Sequence, residues 1–163
     1  MNVINGKKTW VFGDNINTDI ISPPQYMDLS IEEASAYSMT AVDSLFAKQC
    51  KEGDIFVAHK NLGSGSSRET SPLTLKHLGI KAVIAESFAR IFYRNCINVG
   101  IPVIECADVK KITAADVISI DIENGIIINQ TSGETYTCSK IPNNVYKIIQ
   151  CGGLINFLQG EIR

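Results

Sequence analysis

The chain has 163 residues, 45% of them apolar and 20% charged, with a formal charge of -2 and a pI near 5.7. That is enough chain to bury a core without staples, and the near-balanced charge argues against a broad electropositive surface for nucleic acid or anionic membrane, so any anion site must be local. No apolar run approaches the roughly 20 residues needed to cross a bilayer, and the opening Met1–Lys8 leads into no signal-type apolar region, so a cytoplasmic protein is expected.

In chain order, Thr9–Phe12 has strand composition and stops at Gly13-Asp14-Asn15; residues 16–21 read as a loop leading to Ser22-Pro23-Pro24. Ser30-Ile31-Glu32-Glu33 resembles a capping box, and Thr40–Cys50 carries Ala41, Leu45, Phe46 and Ala47 at mostly helical spacing, so two helices are expected there. Asp54–Ala58 reads as a short buried strand. After a glycine-rich loop, Ser71 looks like an N-cap and Pro72 opens a helix running to Leu78. Ala82–Ala85 is a further strand. It enters a helix capped by Ser87 and running from Phe88 to Val99, with Ile91, Phe92 and Cys96 inward, and Pro102–Glu105 resumes extended structure.

Two consecutive strand–loop–helix units imply a parallel core. The character then changes: 117–122, 125–129 and 134–138 are β-rich runs separated by Glu123-Asn124 and Thr131-Ser132-Gly133, the pattern of an antiparallel meander. The tail, 144–150 and 154–158, reads as a helix broken at Gly152-Gly153. No linker, repeat or low-complexity segment marks a boundary, so residues 1–163 are expected to form a single α/β domain.

Five cysteines, Cys50, Cys96, Cys106, Cys138 and Cys151, include no C-x-x-C pair and fit neither a disulfide framework nor a local zinc or cluster motif. They are expected to be reduced and mostly buried. His59 and His77 stand far apart, and no local metal site or Ser-His-Asp order is visible.

The densest chemistry lies in Gly63-Ser64-Gly65-Ser66-Ser67-Arg68-Glu69, where two glycines, three hydroxyls and a guanidinium sit between a strand and a helix. Glycines let backbone N–H groups approach a ligand, a helix start adds positive potential, and arginine offers a planar fork, so the loop suits a small acidic ligand. It lacks the lysine of a P-loop, puts arginine where a dinucleotide fingerprint needs its third glycine, and contains no nucleophile elbow. The plainer alternative is a serine-rich turn with Arg68 and Glu69 paired in solvent.

Gly13-Asp14-Asn15-Ile16-Asn17-Thr18-Asp19, the 61–69 loop, Ser87-Phe88-Ala89-Arg90-Ile91-Phe92-Tyr93-Arg94-Asn95 and Gly152-Gly153-Leu154-Ile155-Asn156-Phe157-Leu158 together resemble, in the same order, the swivel domain of the aconitase superfamily. The resemblance runs over nearly the whole chain, and the length matches the free-standing, small-subunit form of the domain found in isopropylmalate dehydratases and their relatives. It implies a β/β/α domain with a mixed sheet core and flanking helices. It also implies a hydro-lyase split across two chains: a large subunit carries a [4Fe-4S] cluster, and this chain binds no cofactor itself but closes over a small dicarboxylate hydroxy acid. A higher hetero-oligomer is left open, and neither nucleic acid nor membrane is an expected partner.

Carried over residue by residue, the resemblance makes Ser66 the base that removes the proton beside a carboxylate and Arg68 the bidentate clamp on a carboxylate. Ser67 donates a further hydrogen bond to the substrate, and Ser64 and Gly65 of the same loop are expected to be substrate-binding residues. Asp19 becomes an acidic site residue that orients an arginine or a proton-bearing group; its alternative is a turn aspartate capping local N–H groups. Ser87, Arg90 and Asn95 match the second motif but are accounted for structurally, as an N-cap, a surface charge and a helix-end polar residue.

Departures bear on substrate. Leu62, Ser64 and Thr70 depart from the residues often found in the family loop, and none removes the base or the clamp. The substrate-sorting segment corresponds to Tyr26-Met27, followed by Asp28 where an apolar residue or arginine is expected. An acidic side chain repels a third carboxylate, which favours a two-carboxylate acid with small branched apolar groups. The leading expectation is isomerisation of 2-isopropylmalate to 3-isopropylmalate in leucine synthesis. The alternatives are hydro-lyases of dimethylmalate, citraconate-derived malates or homoaconitate and, outside enzymes, an anion-binding module or a scaffolding subunit.

Overall fold

The computed structural model describes residues 2–66 and 68–162, without the side chains of 161 and 162. The expected Ser67 donor lies outside the described residues. Strands β2 (Thr9–Val11), β3 (Ile55–Val57), β4 (Ala82–Ala85) and β5 (Val103–Glu105) form a parallel sheet in that order. Strands β1 (Val3–Asn5), β6 (Ile118–Asp121), β7 (Ile126–Asn129) and β8 (Thr135–Thr137) form an antiparallel sheet. Parallel and antiparallel pairing are thus both present, each in its own sheet.

Alternation along β3 and β4 explains the layering. Phe56, Ala58, Val83 and Ala85 face one way, packing with Phe46, Leu75, Phe92 and Cys96 from the helices. Ile55, Val57, Ala82 and Ile84 face the other, onto Ile118, Ile120, Ile127 and Tyr136 of the antiparallel sheet. Side chains of a strand alternate sides, so a run apolar at every position must be covered on both faces, and β3 and β4 are buried throughout. β7, by contrast, alternates exposed and buried residues because its outer face meets solvent.

The helices are α1 (Thr18–Ile21), α2 (Ile31–Ser35), α3 (Phe46–Gln49), α4 (Thr70–His77), α5 (Arg90–Asn98), α6 (Asn143–Gln150) and α7 (Leu154–Ile162). None is long and apolar enough to cross a membrane. Ser30 caps α2, accepting from the Glu33 amide at 3.1 Å and donating to the Glu33 carboxylate at 3.1 Å.

Several expectations are corrected. Residues 40–45 form turns, and helix forms over Phe46–Gln49 alone: the Asp43 carboxylate accepts from the Leu45 amide at 2.9 Å in a local turn, and of the apolar quartet Phe46 is fully buried while Leu45 is 49% exposed. α4 begins at Thr70, before Ser71, whose buried hydroxyl donates to the Thr18 carbonyl at 3.2 Å instead of capping. α5 begins at Arg90 after an uncapped Ala89, and the Ser87 hydroxyl accepts from the Asn61 amide at 2.8 Å. Ile91 points outward, 51% exposed, while Phe92 and Cys96 are buried. Residues 18–21 are a helical turn where a loop was expected, and β1 was not anticipated; its short alternating run becomes a strand by pairing with β6.

Cys96 and Cys106 are buried, Cys50 and Cys138 partly so, and Cys151 is exposed; all five are free thiols. Burial pushes the Cys50 and Cys138 thiols up to about 12 and raises Cys96 and Cys106 as well.

Candidate active site

Because all four strands of the β2-β3-β4-β5 sheet are parallel, the segments that follow β2, β3 and β4 leave it at the same end of the strands. They are tied together there. The Phe12 amide donates to the Val57 carbonyl and the Asn15 amide to the Lys60 carbonyl, both at 2.8 Å, while the Asp14 carboxylate accepts from the Lys60 amide at 2.9 Å. That last bond is the main cause holding the Asp14 carboxyl below its ordinary range. Leu62 pairs with Phe88 in a parallel bridge above the sheet, its amide donating to the Ser87 carbonyl at 3.0 Å and its carbonyl accepting from Ala89 at 2.9 Å. The 61–69 loop and the entry to α5 therefore rise together.

Gly63 takes a φ of 87° and Gly65 one of 104°, both in the left-handed region that glycine enters without strain. Gly63 has a second reason to lack a side chain: a Cβ there would lie within the Phe92 ring's van der Waals envelope. Its amide donates to the Ile16 carbonyl at 2.7 Å, so this N–H holds the loop instead of facing a ligand. The amides of Gly65 and Ser66 have no partner among the described residues, and both residues are exposed.

Arg68 turns back toward α1. Its Nη2 lies 3.2 Å from Asp19 Oδ1, with the arginine side chain 21% exposed. Its Nη1 is buried with no hydrogen-bond partner among the described residues. Arg68 is thus paired with Asp19 and not with Glu69. Asp19 is not the local cap either, because Asn17 Oδ1 accepts from the Ile20 amide at 2.9 Å and fills that role. A half-buried guanidinium with one terminal nitrogen unanswered favours an anion beside it.

Ser66 and Arg68 share a cavity of about 190 Å³ with Thr18, Gly63, Gly65 and residues 89–92 and 95. Arg90 and Asn95, expected as a surface charge and a helix-end polar residue, line this cavity, whereas Ser87 does not. Thr18 had not been singled out at all. The available signal was its place one residue before Asp19 in the 13–19 motif. Ser64 sits at the loop's base, its carbonyl accepting from the Thr18 amide at 2.9 Å.

The substrate-sorting segment lies elsewhere. The Tyr26 ring stacks on Tyr37 at 3.8 Å, and Tyr26 and Met27 line a small hollow of about 30 Å³ with Leu29, Ile31, Thr70 and Thr74. Asp28 is exposed and lines neither cavity.

A larger hollow, about 760 Å³, is an open groove walled by Lys7, Lys8, Lys48, Lys51 and Asp54, away from these loops. Asp54 already accepts from the Trp10 indole at 2.9 Å and the Lys51 amide at 3.0 Å, which leaves the groove with solvated lysines and no site chemistry comparable to Ser66 and Arg68. Among the described residues, no group of three or more His, Cys, Asp or Glu could hold a metal ion.

Comparison with known proteins finds relatives along the whole chain. Residues 11–108 match the family model described as the aconitase C-terminal domain, a span that includes every residue lining the Ser66 cavity. A 3-isopropylmalate dehydratase small subunit from Nautilia profundicola is 48% identical, over 100% of this chain and 98% of its own. An isopropylmalate/citramalate isomerase small subunit from Methanocaldococcus jannaschii is 46% identical over 98% of this chain and 96% of its own. The crystal structure of a 3-isopropylmalate dehydratase (leuD) from Methanocaldococcus jannaschii superimposes with a TM-score of 0.91 at 39% identity, covering 98% of this chain and 95% of that one. The chain therefore belongs to the aconitase C-terminal domain family, within its group of isopropylmalate dehydratase small subunits.

Proposed function

We propose that this chain, residues 1–163 acting as one domain, is the cytoplasmic small subunit of a two-chain hydro-lyase for a branched malate. Its leading reaction is the interconversion of 2-isopropylmalate and 3-isopropylmalate in leucine synthesis. The observation that carries the reading is the Arg68 guanidinium, held at Nη2 by Asp19 and unanswered at Nη1, on the cavity that Ser66 also lines.

Each terminal guanidinium nitrogen carries two N–H bonds, so Nη2 can serve Asp19 and a substrate oxygen together, and Nη1, buried here, takes the other oxygen only if the guanidinium turns toward the cavity. A carboxylate clamped there would present its neighbouring C–H within the cavity that Ser66 lines, which is what the base role of Ser66 requires. An alkoxide is a costly species in water. Here the unpartnered amides of Gly65 and Ser66 and the charge of Arg68 favour negative charge at the loop once a partner excludes solvent. A [4Fe-4S] cluster in that large subunit would supply Lewis-acid polarisation of the leaving hydroxyl.

The printed name of the Methanocaldococcus relative couples isopropylmalate with citramalate, which supports a two-carboxylate substrate with a small apolar branch. The test is anaerobic reconstitution with the cognate large subunit and a panel of isopropylmalate, dimethylmalate, citramalate and homocitrate. The expected result is no turnover by this chain alone and a preference for isopropylmalate by the pair. Full activity of the isolated chain would overturn the split-site reading.

A further inference from the structure

We propose that Thr18 is a positioning residue that sets where Ser66 points, an assignment that rests on the reading of Ser66 as the base. Ser66 lies in an exposed loop beside two left-handed glycines, a backbone with wide latitude. Among the described residues, the hydrogen bonds made to the Ser64–Ser66 backbone come from Thr18: its amide donates to the Ser64 carbonyl at 2.9 Å and its hydroxyl to the Ser66 carbonyl at 3.0 Å.

Thr18 can impose that position because it is itself fixed. It is 2% exposed, and its carbonyl accepts from the Ser22 amide at 2.8 Å and from the Ser71 hydroxyl on α4 at 3.2 Å. Gly65 completes the fit, since a Cβ there would come within 3.3 Å of Thr18 Oγ1 and crowd the hydroxyl. The next residue, Asp19, holds Arg68. One turn of α1 thus references both the base and the clamp to the body of the fold, through separate contacts.

Those separate contacts give the test its discrimination. In the reconstituted complex, Thr18→Val should lower kcat about 10- to 100-fold, the cost of displacing a reacting group by about 1 Å, with KM within about threefold because Asp19 still holds Arg68. The primary isotope effect on substrate deuterated at the carbon that loses its proton should rise, a change that partial unfolding would not produce. Thr18→Ser, which keeps the hydroxyl, should recover kcat to within about threefold of wild type.

The proposal is overturned if Thr18→Val turns over within about twofold of wild type, or if the serine variant falls as far as the valine one. Should the valine chain not fold, Thr18→Ala and Thr18→Ser decide in the same way: alanine must lose turnover per assembled complex and serine must keep it. A parallel Ser66→Ala complex separates the two ideas. Normal turnover there removes the base reading itself, whereas an inactive Ser66→Ala beside a normal Thr18→Val removes only the role of Thr18.

Discussion

Two polar clusters in this molecule, one buried and one at the surface, are finished to different degrees. At the antiparallel sheet, Asp116 is 6% exposed, and its carboxylate accepts from the Thr113 amide, the Thr113 hydroxyl and the Asn129 side chain, each at 2.9 Å; Asn129 also contacts the Tyr136 hydroxyl at 3.3 Å. Burial works to raise the Asp116 carboxyl, yet those hydrogen bonds hold it below its ordinary range. At the end of the parallel strands, Arg68 has Asp19 on one nitrogen and nothing among the described residues on the other. A cluster that serves the fold closes on itself, because each unmet group costs free energy. One that serves a ligand leaves a group unmet for the ligand to answer.

The contrast is sharpest in the base. Ser66→Ala in the assembled complex should cut kcat by roughly 10²- to 10⁴-fold with KM little changed. Steady-state kinetics decides it, and near-normal turnover would erase the functional half of the contrast. Arg68→Lys should lower kcat/KM by about 10- to 100-fold, since an ammonium cannot serve Asp19 and both oxygens of a carboxylate in one plane. If the lysine variant instead assembles poorly but turns over normally, Arg68 faces the partner chain and not the substrate.

Stability measurements break the comparison from the other side. Gly63→Ala adds a Cβ into the Phe92 ring at a φ of 87°, and the expected loss is about 2–4 kcal/mol by urea titration. Asp116→Asn should cost about 1–3 kcal/mol by the same measurement and leave the kinetics of the complex unchanged. The sign of its pH dependence is fixed: a lowered carboxyl pKa stabilises the fold above the ordinary value of 3.8, and this is lost as pH falls through the folded value. The asparagine variant should therefore lose less stability on acidification than wild type.

The smallest effect concerns the thiols. Cys50 and Cys138 are raised to about 12, so between their ordinary value of 9.0 and about 12 the folded chain keeps protons that the unfolded chain has released. Stability is then fully present below about pH 9 and declines as pH rises. The melting temperature should drop by roughly a few degrees between about pH 8 and about pH 10.5, and less in a Cys50→Ala, Cys138→Ala chain.

Much of this was legible in the chain. Asp54–Ala58 and Ala82–Ala85 are apolar at nearly every position, which requires cover on both faces, and the 118–137 runs alternate as half-exposed strands do. The order of four motifs pointed to the family, and the 63–69 loop to Ser66 and Arg68. What stayed hidden depends on contacts distant in sequence. Thr18 reaches Ser64 and Ser66 across more than forty residues, Ser71 is diverted from capping by Thr18, and Ser87 is diverted by Asn61. Helical spacing in 40–50 misled because the Asp43 carboxylate takes the Leu45 amide at 2.9 Å, a local turn that competes with the helix. Arg90 could not be distinguished from a solvated charge until α5 was seen to face the cavity.

The Leu62–Phe88 bridge carries one further consequence. By extending strand pairing past the sheet, it zips two site segments into a single ladder whose rungs count residues. Inserting or deleting one residue between Val57 and Leu62 would slip that zipper and carry Gly63 away from the Phe92 ring it must skirt. Anyone redesigning this domain should treat that spacer as fixed and place added length in the turns of 40–45, where the backbone makes no such register.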